Sequence, residues 1–298
     1  MFPDFPNFRP IVFEDAEAFN ALFAAEQPVI SEYTFTNLFV WRNRYGFEIS
    51  AMDGGVILLA KPAVGEPYLL PPICCSDIVT ASQQAFAYLK SLGVCPKMRR
   101  APKHIVEILG TSGFNSVPDR DNFDYLYLSD DLAELPGRKY HKKRNLIAQF
   151  TSRNEFESKP LSESLIEECR GLQADWCDVR GCFTPENISL AEENLAINEA
   201  LDHFKAFALR GIVILIEGKI EAFSIGEPLN RDTFVIHFEK ANPARTGLYQ
   251  AINQVFCRSI ASEFKYINRE QDLGQPGLRQ AKESYYPVSL IEKYVVTE

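Results

Sequence analysis

Residues 207–240 read FALRGIVILIEGKIEAFSIGEPLNRDTFVIHFEK, and the spacing of apolar and turn residues in this stretch decides the fold. Two apolar runs, Phe207–Glu217 and Ile220–Leu229, meet at Gly218-Lys219, and Asn230-Arg231-Asp232 turns the chain into a third, Thr233–Lys240. Runs of this length, rich in β-branched and aromatic residues and bounded by short polar turns, predict three consecutive strands. Downstream, the apolar period lengthens to that of a helix over Thr246–Glu263, and a strand Tyr266–Arg269, a helix Gly277–Tyr285 and a closing strand Ser289–Val296 follow. Upstream lie a short strand Glu155–Ser158 and helices over Leu161–Val179 and Ser189–Phe204.

The first half repeats this order. Glu14–Glu26 has a helical period closed by Pro28, and a second helical run from Ser31 ends by Gly46. Phe47–Met52 and Val56–Lys61 flank Asp53-Gly54-Gly55, a hairpin signal. Helix Thr80–Leu92, strand Pro96–Arg100, helix Lys103–Leu109 and strand Phe123–Leu128 then match the four elements after residue 246. A match of element order predicts two similar α+β domains, 1–136 and 137–298. The second opens, after Pro136-Gly137, with a basic helix over Arg138–Arg153.

The chain has 298 residues, 46% hydrophobic and 24% charged, enough for a large core, and a net charge of −9. An acidic chain meets an anionic partner only through a local patch. No apolar run approaches the roughly 20 residues of a membrane-spanning helix, and the N-terminus lacks a signal-peptide pattern. Seven cysteines without a C-x-x-C pair read as reduced thiols of a cytoplasmic protein. Cys177, Cys182 and His203 can be drawn as a zinc site, but a fourth ligand is missing, and no metal is expected.

Three segments carry a resemblance over nearly the whole chain: Tyr33–Trp41 (YTFTNLFVW), Lys139–Asn145 (KYHKKRN) and Asp272–Pro287 (DLGQPGLRQAKESYYP). They resemble a bacterial family of unassigned function related to the C-terminal domain of phosphatidylglycerol lysyltransferases. The resemblance implies an α+β chain of two tandem GNAT-like (acyl-CoA N-acyltransferase-type) domains. It also links the chain to Fem-type transferases, which take aminoacyl groups from charged tRNA. The implied donor is aminoacyl-tRNA or, alternatively, acyl-CoA, with no further cofactor required. The implied partners are charged tRNA and an anionic lipid headgroup, met by a cytoplasmic protein or one peripheral to the inner membrane surface. Two departures stand out. The multi-helix membrane region of the lysyltransferases is missing, and the R/Q-x-x-G-x-G/A turn that holds CoA pyrophosphate is replaced by Arg245-Thr246-Gly247-Leu248-Tyr249-Gln250.

Between Pro136 and Asn154 stand six Lys or Arg residues and no acid. On a helix, Arg138, Lys142, Asn145 and Gln149 form the face opposite Tyr140, Leu146, Ile147 and Phe150, ready for phosphates. Lys143 falls on the apolar face, where its ammonium needs a buried acid or a ligand. On strand Thr233–Lys240, alternation places Val235, His237 and Glu239 on one face. In a GNAT fold such a His or Glu serves as general base. In the tail, Lys282 borders the apolar side formed by Leu278, Ala281 and Tyr285, facing Asp272 or a ligand phosphate. Glu270 and Asp272 are also candidates for recognising the amino group of an aminoacyl donor. The catalytic candidates are thus Glu239 and His237. The substrate-binding candidates are Lys142, Lys143, Arg144 and Asn145 on the helix, and Asp272, Arg279, Lys282 and Tyr285 in the tail. Trp176, at a helix end before Gly181, reads as a core anchor or as part of a cleft cover. A CoA-dependent N-acyltransferase and a non-catalytic module that binds anionic ligands are the alternatives.

Overall fold

The computed structural model describes residues 2–298, and its strands form two seven-stranded mixed sheets. In chain order the strands are β1 (Arg9–Pro10), β2 (Phe47–Met52), β3 (Gly55–Ala60), β4 (Tyr68–Leu69), β5 (Met98–Pro102), β6 (Asn115–Pro118) and β7 (Asp124–Leu128). Then come β8 (Glu157–Pro160), β9 (Arg210–Ile216), β10 (Lys219–Pro228), β11 (Thr233–Ala241), β12 (Tyr266–Asn268), β13 (Ser289–Ile291) and β14 (Lys293–Thr297). The first sheet runs β1-β2-β3-β4-β5-β14-β6, and the second, from its β8 edge, runs β8-β9-β10-β11-β12-β7-β13. Each begins with four antiparallel strands, takes one parallel step (β4 to β5, β11 to β12), and then admits a strand from the far part of the chain. The two expected α+β units are present.

Their boundaries differ from the expected cut after residue 136. One compact unit takes the chain up to Asp124 together with 271–279 and 290–298, and the other takes 125–270 together with 280–289. β7 pairs with β12, Leu128 opposite Tyr266 and Leu126 opposite Asn268. The closing run Ser289–Val296, expected as one strand, breaks at Glu292, and β14 inserts between β5 and β6. Apolar alternation marks a segment as a strand without specifying the strand it bonds to, so the exchange is invisible in the pattern.

The hairpin Phe47–Ala60 and the helices Ala16–Glu26, Ile78–Ser91, Lys103–Gly110, Ile166–Arg180, Ile188–Asp202 and Leu248–Ile260 fall where the periodicity predicts them. Asp77 caps Ile78–Ser91 by accepting the Thr80 amide at 3.0 Å, satisfying a donor the helix leaves open. The basic segment forms one 3-10 turn, Arg138–Tyr140, followed by an α-helix, His141–Arg153. In the second unit the rings of Phe234 and Phe256 meet edge to face at 5.6 Å, fixing Leu248–Ile260 on the sheet. Each ring withdrawn from water there contributes about 2–3 kcal/mol.

Candidate active site

The site is built on β11, and a single extra residue shapes it. Phe238 lies opposite Ile225 and Ile236 opposite Gly226, which leaves His237 without a partner across the ladder. This β-bulge shifts the alternation. Helix Leu248–Ile260 touches Phe234 through Phe256 and Glu239 through Asn253. Positions 234 and 239 would face opposite ways on a regular strand. His237 and Glu239, expected to border one substrate from a shared face, therefore belong to two separate clusters.

His237 is buried between two carboxylates, with Nδ1 2.8 Å from Glu270 and Nε2 2.9 Å from Glu227. Burial opposes its charge, but the hydrogen bonds to Glu227 and Glu270 outweigh that and push its pKa up to about 9. An imidazolium donating from both nitrogens has no lone pair to accept a proton. This geometry runs against the expectation of a general base at His237 and makes it a fixed cation that holds two acids.

Glu239 receives Arg269 Nη2 on one oxygen at 3.1 Å and Asn253 Nδ2 on the other at 3.0 Å. Arg269 follows directly after β12, and Glu270 after it takes a left-handed φ of 54° with its amide held by Asn268 at 2.7 Å. That turn sends Arg269 to Glu239 and Glu270 to His237. Burial works against the Arg269 charge, yet Glu239 more than compensates and raises its pKa. Both Glu239 oxygens are therefore occupied by donors from the protein itself.

Lys143 does turn inward, as its helical position predicts, but it meets no acid. Its Nζ donates to Ser284 Oγ at 2.7 Å and lies 3.9 Å from the centre of the Tyr285 ring, which the Arg269 guanidinium also approaches at 4.9 Å. Among the described residues, no carboxylate reaches ion-pair distance of Lys143, because Arg269 occupies Glu239. Burial, with repulsion from Arg269 and only partial relief from Glu239, lowers the Lys143 pKa to about 8.

The remaining candidates scatter. Lys142 stays exposed on the outer face, and Asn145 pairs with His141 one turn away at 3.1 Å. Arg144 is turned back onto its own helix start, donating to the carbonyls of Leu135 and Gly137, the latter at 2.7 Å. Tyr285 is buried. Lys282 folds with the second unit. Its ammonium donates to the Arg269 carbonyl, while fully buried Asp272 is held by Arg279 at 2.9 Å on both oxygens and by Arg120 at 3.0 Å. Helix Pro276–Glu283 divides between the two units, so Arg279 packs with the first and Lys282 with the second.

Sequence reasoning missed Arg269, Asn253 and Ser284. Arg269 carried one available signal, its place at the end of a strand beside two acids. Two of the cysteines also depart from expectation. Cys177 and Cys182 are joined in a disulfide across Gly181, with Cα atoms 4.9 Å apart, whereas five cysteines are free. The His203 ring instead lies 5.1 Å from that of Phe207, tilted by 39°.

The turn that would hold a CoA pyrophosphate is filled by the protein itself. Arg245 binds Glu221 at 3.1 Å and Asn154 at 2.9 Å, and Gly247, at a φ of +90°, meets the basic helix so closely that an added Cβ would lie 2.1 Å from the Leu146 carbonyl oxygen. No helix among the described residues is long and apolar enough to cross a membrane.

Comparison with known proteins finds a family model, described as phosphatidylglycerol lysyltransferase, C-terminal, that matches residues 23–297. A conserved protein of unknown function from Bacteroides thetaiotaomicron VPI-5482 is 32% identical, with 99% of each chain covered and a TM-score of 0.89. The C-terminal domain of a putative lysylphosphatidylglycerol synthetase from Agrobacterium fabrum is 11% identical, covering 95% of this chain and 90% of that one, with a TM-score of 0.67. L-PGS from Bacillus licheniformis is 15% identical over 95% of this chain and 92% of that one, with a TM-score of 0.66. No curated protein matches the chain.

Proposed function

We propose, from the premise that this chain belongs to the phosphatidylglycerol lysyltransferase C-terminal family, that it is an acyltransferase of the aminoacyl type. It moves an aminoacyl group from charged tRNA to an amine or hydroxyl acceptor such as a lipid headgroup, working in the cytoplasm or at the membrane surface. The observation that carries this reading is Lys143, a half-buried amine against Tyr285 with a neutral hydroxyl for a partner. An amine with a pKa near 8 exists partly in its neutral form at physiological pH and can take a proton from an attacking nucleophile.

The chemistry then balances without an added cofactor. Lys143 Nζ accepts the proton of the acceptor N–H or O–H, and the freed electron pair attacks the ester carbonyl of the donor. The tetrahedral intermediate collapses, the bond to the tRNA ribose oxygen breaks, and that oxygen recovers the proton from the Lys143 ammonium. Arg269, held by Glu239, whose other oxygen accepts from Asn253, supplies positive charge beside the developing oxyanion. Glu239 is thus an anchor for Arg269, with proton transfer assigned to Lys143. Exposed Lys142, Arg138 and Arg153 are the charges left for tRNA phosphates. Transfer of radiolabelled amino acid from charged tRNA to a lipid or small-amine acceptor tests the proposal. Transfer that falls at least about 100-fold in Lys143→Ala supports it, and wild-type protein that neither binds charged tRNA nor discharges it overturns it.

The acyl-CoA alternative loses support from the blocked turn at Gly247, because a pyrophosphate needs the backbone amides and helix start that Leu146 covers. Calorimetry with acetyl-CoA is expected to show no saturable binding.

A further inference from the structure

We infer that Cys177 and Cys182 form a reversible redox-modification site, a disulfide that exchanges with a dithiol reductant and whose state is read by Trp176. The pair closes the end of helix Ile166–Arg180 and packs with Trp176 and Leu190, apart from the Lys143 cluster.

Two features of Gln173 point to exchange. Its side chain is buried one turn before Cys177, and its Nε2 donates to Cys177 Sγ at 3.4 Å and to Asn194 Oδ1 at 3.2 Å. Its Oε1 is buried with no hydrogen-bond partner. In the disulfide form this acceptor has no donor. Once Cys177 carries a thiol proton, rotation of the amide lets the S–H donate to Oε1, so the reduced state satisfies a group that the oxidised state leaves open. The Gln173 N–H also stands ready to stabilise a Cys177 thiolate as it leaves, and a stabilised thiolate leaves faster.

The exchange balances. A thiolate of the reductant attacks Cys182 Sγ, a mixed disulfide forms, and the Cys177–Cys182 bond breaks with Cys177 leaving as the thiolate. The second thiolate of the reductant then closes its own disulfide and releases Cys182. The reductant loses two electrons, and its two thiol protons end on the cysteines. Both sulfurs are covered, but the turn that carries Cys182 lies at the surface, with neighbouring Phe183 71% exposed, so a shift of this turn admits the reductant.

Trp176, next to Cys177, connects the pair to the sheet. Its indole N–H donates to the Tyr249 hydroxyl at 2.8 Å, and the Lys240 ammonium sits 3.7 Å above its ring while binding Glu193 at 2.8 Å. Tyr249 opens the helix that carries Asn253, and Lys240 adjoins Glu239 on β11. Release of the helix end therefore moves the group that braces both.

The test uses the full chain. Denaturation and alkylation without reductant should label the five free cysteines, and dithiothreitol treatment should expose all seven. In a Trp41→Phe background, Trp176 emission should rise as the ratio of reduced to oxidised dithiothreitol increases, and fall again on reoxidation. Cys177→Ser should show the reduced-state emission and no response. Labelling of all seven cysteines before reduction overturns the inference. So does a Trp176 spectrum unchanged across the dithiothreitol series in the unsubstituted cysteine pair. Neither readout depends on the acyl-transfer reaction.

Discussion

The reactivity of Lys143 is the sharpest consequence of the site. An ordinary lysine, near 10.5, is neutral to ~0.1% at about pH 7.4, whereas a value of about 8 leaves ~20% of Lys143 neutral, on the order of 10²-fold more. Trace acetylation with acetic anhydride over a pH series, read by peptide mass spectrometry, gives the inflection for each lysine separately. Lys143 should inflect near 8, and exposed Lys142 on the same helix serves as the internal reference. The same shift has a stability signature. The unfolded chain holds this proton up to about 10.5 and the folded chain only to about 8, so wild-type protein gains stability relative to Lys143→Met as pH rises through that window. Full burial would make the gain roughly 3 kcal/mol, and screening of the half-exposed side chain reduces it to roughly 1–2 kcal/mol. A Lys143 inflection near that of an ordinary lysine, with parallel stability profiles for the two proteins, refutes the reasoning.

Three further perturbations address the surroundings. Arg269→Gln leaves Glu239 nearly buried without its cation, a loss of about 3 kcal/mol or more in urea unfolding. It should also raise the Lys143 inflection, since a repelling charge has gone and Glu239 becomes available; an unmoved inflection contradicts the arrangement. The His237 imidazolium, raised to about 9, contributes stability that is complete below its unfolded value near 6.5 and declines as pH rises through about 9. The gap between wild type and His237→Asn should therefore shrink by up to roughly 3 kcal/mol between pH 6 and pH 9.5, and a flat gap means the imidazole is not charged in the fold. Gly247→Ala should cost about 2–4 kcal/mol by thermal unfolding, combining left-handed backbone strain with the collision at Leu146, and a neutral outcome would mean that the basic helix does not cover the turn.

Periodicity and turn chemistry in the sequence determined the elements. The three strands of 207–240, the hairpin around Asp53-Gly54, and the helices on either side are local properties, set by side-chain spacing and by residues that permit turns. The inward turn of Lys143 was equally legible, because helical geometry fixes the face of a residue once the helix is known. The family followed from motifs spread along the chain.

Only the tertiary structure decided what those elements meet. The crossing of β7 and β14 between the two halves of the sequence depends on long-range hydrogen bonding, and no local signal separates β7 bonded to β12 from β7 bonded within its own half. The bulge at His237 arises from pairing with β10, and one unpaired residue was enough to move Glu239 to the other face and divide a single expected site into two clusters. The competition for Glu239, won by Arg269 over Lys143, and the bond between Cys177 and Cys182 are likewise matters of distance in the folded chain. Sequence placed the amine on the inner side of its helix. The fold withheld the acid that would have kept it charged, and the proton-transfer role proposed for Lys143 rests on that.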